Sequence, residues 1–250
     1  MNIEEILENA YQLFDKYKIG DKLQLCIPCC VSIDEEKQLV NTPLRKISRD
    51  LLNSAYYESA RCYSDRELWE MKHFLPRVLE LVCEFEFPCH STELTFTRLD
   101  LDKTEKWDLL EIDFLREFSI EYFKKCLNIY PIPNGERITN ILIMFGIGGF
   151  DLKPILNEWI YSRSNQSLKH FKDLFMYDFS FQLHKPKRLI NAFSTHEIDN
   201  IIFEWISSES VKKIFSTKIE NIIINDSNDF DSETISQLSW IYDVLDLNKY

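Results

Sequence analysis

The chain has 250 residues, of which 45% are hydrophobic and 28% charged, and its formal net charge is −12 at pH 7. This composition excludes a disordered chain and argues against a nucleic-acid or anionic-membrane partner, because binding phosphates requires a concentrated basic surface. Only 5 glycines and 8 prolines interrupt the sequence, which favours long helices over many short strands.

Helices are predicted along most of the chain, because apolar residues recur at three- and four-residue steps. Pro43, directly after Thr42, suits the first position of a helix, where its missing N–H costs nothing. Three consecutive β-branched residues, 222–224, could instead form a strand. The predicted helices cover residues 3–18, 34–40, 43–62, 66–85, 106–130, 136–145, 152–162, 167–184, 197–207, 211–224 and 232–245.

These helices, joined by short connections, predict an all-α fold. It would be either an irregular multi-helix bundle or an α-solenoid-like stack of antiparallel helices. No fixed-period repeat is visible in the sequence, which favours the irregular bundle. Residues 1–250 are expected to form a single helical domain, and the proline- and glycine-rich stretch 131–135 marks the best internal sub-boundary.

The N-terminal sequence, residues 1–5, is acidic and lacks the basic start and apolar run of a secretory signal. The longest apolar stretch, 138–150, is interrupted by polar residues and glycines and falls short of the roughly 20 residues that cross a bilayer. We therefore expect a cytoplasmic protein without a membrane partner. Its seven cysteines, an odd number, are then expected to be reduced thiols rather than a disulfide framework.

The most specific local pattern is Cys26-Ile27-Pro28-Cys29-Cys30. Two thiols separated by two residues can reach one tetrahedral metal ion, so Cys26, Cys29 and Cys30 are candidate zinc ligands. No second Cys-x-x-Cys occurs, although Cys89-His90 could complete a mixed site. The alternative is a set of buried, inert thiols in a helical core, in a protein without a cofactor.

Catalytic motifs are not recognisable in the chain. Its histidines form no His-Glu-x-x-His pattern, and no nucleophile elbow occurs. The glycines of 146–149 lack the spacing of a dinucleotide-binding loop and predict a helix end followed by a turn. Glu105, Asp108, Glu111 and Asp113 alternate with basic residues, which is typical of an exposed helix face. We therefore expect that the protein is not an enzyme.

Acidic residues are concentrated at the C-terminal end. From Glu220 onward there are seven acids and one base, Lys249. Such a surface can attract and bind a basic protein, although a charge run is also typical of a solvated helix face. The residues expected to bind the partner are six acids and two aromatic anchors: Asp226, Asp229, Asp231, Glu233, Trp240, Tyr242, Asp243 and Asp246.

Four segments carry a resemblance to other proteins: Cys26-x-Pro28-Cys29-Cys30, Thr42-Pro43-Leu44-Arg45, residues 73–81, His-Phe-Leu-Pro-Arg-Val-Leu-Glu-Leu, and a segment with Leu99, Trp107 and Glu111. Over residues 20–125 the chain resembles a widespread group of uncharacterised bacterial cytoplasmic proteins with a Pro-Cys-Cys element and a Phe-Leu-Pro-Arg helix. The resemblance implies no reaction. For members associated with polymorphic toxin loci, it implies a role as immunity proteins.

Taken with the acidic C-terminal end, this resemblance leads us to expect an immunity protein that neutralises a basic cytoplasmic toxin through an acidic helical surface. Two alternatives remain open at this point. One is a metal-binding helical enzyme or stress protein organised by the three clustered cysteines, and the other is a scaffold protein in a larger assembly.

Overall fold

The computed structural model describes residues 2–27, 29–182, 185–224 and 229–246. It is 66% helical, with 11 helices and a two-stranded sheet among these residues, so the predicted all-α class is confirmed. In none of the described helices is there a stretch long and apolar enough to cross a membrane. The helices, α1 to α11, are Ile3–Leu13, Ile33–Asn41, Arg49–Leu52, Asp65–Cys83, Leu109–Leu127, Ile138–Ile147, Leu152–Tyr161, Asn165–Asp173, His196–Ser207, Glu209–Ile224 and Ser232–Asp246.

Capping residues next to the first turn determine where helices α1 and α2 begin. At α1, the Asn2 side chain accepts a hydrogen bond from the Glu5 backbone N–H at 2.8 Å, and the Glu5 carboxylate accepts one from the Asn2 N–H. Ser32 and Glu35 form the same reciprocal pair at α2. Such capping boxes satisfy N–H groups that have no partner inside the helix, so they place the first turn.

The helix predicted over 43–62 is broken, and that prediction is wrong. A 3₁₀ turn, Leu44–Lys46, is followed by an extended residue and then by α3, whose N-cap is Ser48. The Ser48 hydroxyl accepts from the Leu51 N–H and so starts a new helix inside the apolar pattern. A π turn, Asn53–Tyr57, ends the segment.

The helix predicted over 167–184 is also wrong in its second half. After α8 and a π turn, the chain forms two antiparallel strands, β1 (Phe179–Gln182) and β2 (Lys185–Leu189). Asp178 anchors this hairpin, because its carbonyl accepts from the Ile190 N–H at 2.7 Å and its carboxylate accepts from Arg137 and Thr139. The strand considered for residues 222–224 does not form, because these residues belong to α10.

The chain packs as two compact units. The first comprises Met1–Tyr122 and Ile147–Phe150, and the second comprises Phe123–Gly146 and Asp151–Tyr250. Residues 131–135 lie within the second unit. The prediction of a single domain with a sub-boundary there stays a prediction.

Aromatic side chains dominate the core of each unit. In the first unit, Phe14 packs edge-on against Phe114, with ring centroids 5.8 Å apart, and α4 is buried along most of its length. In the second unit, Phe171 and Phe215 stack with ring centroids 3.6 Å apart, and the fully buried Trp159 packs edge-on against both. Each unit therefore has a hydrophobic core of its own.

Candidate functional site

The residues predicted to bind a partner lie on α11 and in the segment before it. Glu233, Trp240, Tyr242 and Asp243 are on the helix, and Asp229 and Asp231 precede it. The two remaining predicted residues are not fully described by the structure. Asp226 lies outside the described residues, and so does the side chain of Asp246.

Two of the acids stabilise the fold locally. The Asp231 carboxylate accepts a hydrogen bond from the Thr234 backbone N–H at 2.7 Å, and this bond holds the pKa of the carboxyl below its usual value. Asp231 therefore has the position and the hydrogen bond of an N-cap of α11. The Asp229 carboxylate accepts from the side-chain amide of Asn165, at the start of α8, at 2.6 Å. These contacts give both acids a structural role.

The exposed face of α11 carries Glu233, Trp240 and Asp243, which we call the α11 face. Their spacing of seven and three residues places them on one side of a helix, and all three are exposed. Tyr242 is half-buried and lies about 200° round the helix from Trp240, because 3.6 residues make one turn. Three of the predicted partner-binding residues therefore share the α11 face, whereas Tyr242 lies on another side of the helix.

Trp240 is partly exposed, at 36% of its surface. Its ring packs edge-on against Phe181 of β1, with centroids 5.4 Å apart and an interplanar angle of 75°. The contact restricts the indole while leaving part of it open to solvent.

The three predicted metal ligands come together in the first unit. The sulphur atoms of Cys26, Cys29 and Cys30 all lie within 4.8 Å of one another, and no other such group of ligand atoms occurs in the described part of the chain. A mixed site with Cys89-His90 is therefore not formed there. Cys26 and Cys29 are joined by a disulfide, so the prediction of seven reduced thiols is wrong for this pair. Cys29 and Cys30 are exposed, which excludes buried thiols as their description.

A cleft of about 300 Å³ in the first unit was not predicted from the sequence. Lys72 of α4, which lines this cleft, forms an ion pair with Glu111 of α5, and the Lys72 Nζ and Glu111 Oε2 atoms are 2.8 Å apart. Both side chains are almost fully buried. The residues that line the cleft are Tyr17, Asp65, Leu68, Trp69, Lys72 and Lys106.

Glu111 is the centre of this buried network. Its carboxylate accepts hydrogen bonds from the Tyr17 hydroxyl at 2.5 Å and from Lys72, and the Lys16 ammonium lies 2.9 Å away. Burial alone would raise the pKa of Glu111, but these donors hold it below its usual value. The description of Glu111 as part of an exposed helix face is therefore wrong.

Lys72 has no free hydrogen-bond donor. Besides Glu111, its ammonium donates to the Tyr17 hydroxyl at 3.1 Å and to the Lys106 carbonyl at 2.7 Å, and it lies 4.0 Å from the centre of the Trp107 ring. Burial lowers the pKa of Lys72. With all three N–H groups engaged, the ammonium is arranged to tie α4 to the start of α5 rather than to act as a nucleophile.

One signal in the sequence points to the burial of Glu111. It lies three residues before Phe114 and four before Leu115, both buried, which places it on the apolar stripe of α5 rather than on the charged side. An acid on an apolar stripe requires a partner, but the sequence does not identify Lys72 as that partner.

The described residues thus define an all-α, multi-helix protein with an acidic helix face, a clustered cysteine loop and a buried ion-pair network. No protein family model matches the chain, and no curated protein or solved structure is significantly similar to it. The functional argument therefore rests on the chemistry of these three regions.

Proposed function

We propose that this chain is a protein-binding protein, an immunity protein of the bacterial cytoplasm that blocks a basic toxin with the α11 face. The observation that carries the proposal is the exposure of Trp240 between Glu233 and Asp243 on one side of α11. Protein interfaces commonly have an aromatic anchor at the centre and polar residues around it at the rim.

Preorganisation of the indole supports a role in binding. Because Phe181 already restricts the Trp240 ring, a partner that covers the exposed part loses little side-chain entropy. Glu233 and Asp243 lie on either side of this anchor and can pair with lysines or arginines of the partner.

The charge of the whole chain supports a basic partner. A net charge of −12 creates a field that accelerates encounter with a positively charged protein and disfavours acidic ones. Acidic proteins can cover a basic active site without any chemistry of their own.

The test uses the product of the gene adjacent to the gene for this chain, which the proposal expects to be a basic toxin. Affinity and association rate are measured at low and at high salt. We expect Trp240→Ala to weaken binding about 30-fold or more, the loss typical of a central aromatic anchor. The double variant Glu233→Gln/Asp243→Asn should slow association and reduce its salt dependence.

Glu204→Gln is the matched control, because Glu204 is an exposed acid in the middle of α9 and lies outside the α11 face. It should bind the toxin like the unsubstituted chain. Unchanged affinity and salt dependence in both α11-face variants would refute the proposed surface. If the unsubstituted chain neither binds nor neutralises the toxin, the proposed function itself is wrong.

A further inference from the structure

We propose that Cys26, Cys29 and Cys30, which we call the cysteine loop, form a redox-switched site for one zinc ion. In the reduced chain the thiolates of Cys26, Cys29 and Cys30 hold the ion. Formation of the Cys26–Cys29 disulfide releases it. This site is in the first unit, and it does not depend on the proposed binding of a toxin by α11.

The spacing of the sulphur atoms fits zinc. With zinc–sulphur bonds of about 2.3 Å and tetrahedral angles, two thiolates of one ion lie about 3.8 Å apart. The Sγ atoms of Cys29 and Cys30 are 3.7 Å apart. Reduction of the disulfide would allow the sulphur of Cys26 to move to a similar separation from the other two, from a starting position within 4.8 Å of both.

Backbone hydrogen bonds join the two ends of the cysteine loop. The N–H groups of Cys30 and Val31 both donate to the carbonyl of Cys26, at 3.1 and 3.3 Å. These bonds bring the first and last ligands together before any ion binds. A metal site that is already arranged in this way loses less chain entropy on binding.

The residues that lead into the cysteine loop donate backbone hydrogen bonds to side chains from three other segments. The Leu23 N–H donates to the Glu36 carboxylate, the Gln24 N–H to both oxygens of Glu70, and the Cys26 N–H to the Ser59 hydroxyl, all at 2.8 to 3.0 Å. The chain entering the loop is therefore fixed to the body of the first unit. The exposed sulphurs of Cys29 and Cys30 are presented on this support.

The ligand set defines an open site. No histidine, acid or further cysteine joins the three sulphurs in the described part of the chain, so a water molecule would fill the fourth tetrahedral position. Three thiolates favour zinc and other metal ions that bind sulphur strongly over magnesium or calcium, which prefer oxygen ligands.

The switch is a two-electron exchange with a disulfide such as oxidised glutathione. The Cys26 and Cys29 thiolates together lose two electrons and form one sulphur–sulphur bond, while the bond of the oxidant breaks and yields two thiolates. The zinc ion keeps its charge and leaves, because Cys30 alone is a weak site. Reduction of the protein disulfide restores the three ligands.

The binding test uses the reduced full-length chain under argon, with a chromophoric chelator competing for Zn²⁺. We expect one ion per chain and, for Cys30→Ser, an affinity lower by about tenfold or more. Cys30→Ser keeps the Cys26–Cys29 pair, and circular dichroism checks its fold. Absorption of the cadmium-substituted chain counts the coordinated thiolates, and three are expected. Cys62→Ser is the matched control, because Cys62 is an exposed cysteine of the same unit outside the cluster.

The switch is tested by adding oxidised glutathione to the zinc-loaded chain. Released zinc should rise in step with the Cys26–Cys29 disulfide, measured by peptide mass, and reductant should reverse both changes. Sub-stoichiometric binding by the reduced chain would overturn the proposal. Equal affinities for Cys30→Ser and the unsubstituted chain would do the same, as would a loss in Cys62→Ser as large as in Cys30→Ser, or zinc retained after the disulfide has formed.

Discussion

Lys72 and Glu111 form an ion pair of 2.8 Å in which both side chains are almost completely excluded from solvent. They lie 39 residues apart in the sequence and join α4 to α5. Both residues also bind the Tyr17 hydroxyl, which donates a hydrogen bond to Glu111 and accepts one from Lys72. Its burial makes the stability of the first unit sensitive to the loss of either partner.

Breaking this pair on one side should destabilise the first unit strongly. We expect Lys72→Met, which leaves the Glu111 carboxylate buried without its main partner, to cost about 3–5 kcal/mol. Replacing both residues, Lys72→Met/Glu111→Leu, should cost less than the two single changes together, because no unpaired charge remains buried. Urea unfolding of the four proteins in a double-mutant cycle measures this. Additive losses would contradict the coupling.

Acidification should destabilise the protein below about pH 6.5, the usual pKa of histidine. Burial lowers the pKa of both His73 and His170, and each ring contacts a backbone carbonyl at 2.7–2.8 Å. Since the unfolded chain binds these protons more readily than the folded chain, stability is lost as the pH falls from about 6.5 through the lowered pKa values.

Thermal unfolding between pH 7.5 and 5.5 measures this effect. His170→Gln, whose amide can replace the ring N–H donor to Ile129, should weaken the pH dependence. His196→Gln changes an exposed histidine at the start of α9 and serves as the control. Equal pH dependence in all three proteins would show that His170 does not contribute.

The carboxylate of Asp231 should matter more for α11 than for partner binding. Asp231→Ala removes the acceptor for the Thr234 N–H and is expected to lower the melting temperature, whereas Asp231→Asn keeps an acceptor and should lower it less. Asp243→Asn, on the exposed face of the same helix, should change stability by less than about 0.5 kcal/mol. Thermal melts compare the three. An Asp243→Asn loss as large as that of Asp231→Ala would argue against the cap.

Gly149 should not tolerate a side chain. Its φ is +85°, and an added Cβ would lie 2.8 Å from the backbone nitrogen of Asp102. We expect Gly149→Ala to lower the stability of the first unit by more than about 1 kcal/mol, since both the backbone conformation and the contact oppose it. Gly20→Ala is the control, because nothing lies within 4 Å of its added Cβ. Chemical denaturation compares them, and equal midpoints would contradict this account.

Helices with a strong cap and a clear apolar stripe could be predicted from the sequence. The predictions for α4 and α9 start within one residue of the observed helices, because Ser64 and Thr195 cap them through contacts three residues away. The helix end predicted at residues 146–149 is also confirmed, with α6 ending at Ile147 and Gly149 at positive φ. Signals of this kind act within a single turn of helix.

The prediction failed where local and distant interactions compete. The apolar residues Phe179 and Phe181 alternate as in a strand, which the helix predicted over 167–184 ignored; in addition, the buried Asp178 binds Arg137, which is 41 residues away, where the chain turns into β1 and β2. Within 43–62 a capping serine interrupts an apolar pattern that by itself favours one long helix. Helix propensity is a weak preference that such contacts override.

The candidate sites likewise include features that the sequence predicts and features that only the structure reveals. The sequence alone determined the all-α class, the acidic C-terminal segment and the grouping of Cys26, Cys29 and Cys30, because composition, helical periodicity and close spacing act over a few residues. Only the tertiary structure decided that Glu111 is buried against Lys72 and that Trp240 rests on Phe181. The environment of a charged or aromatic side chain depends on residues that are distant in the sequence, and their positions are known only once the chain has folded.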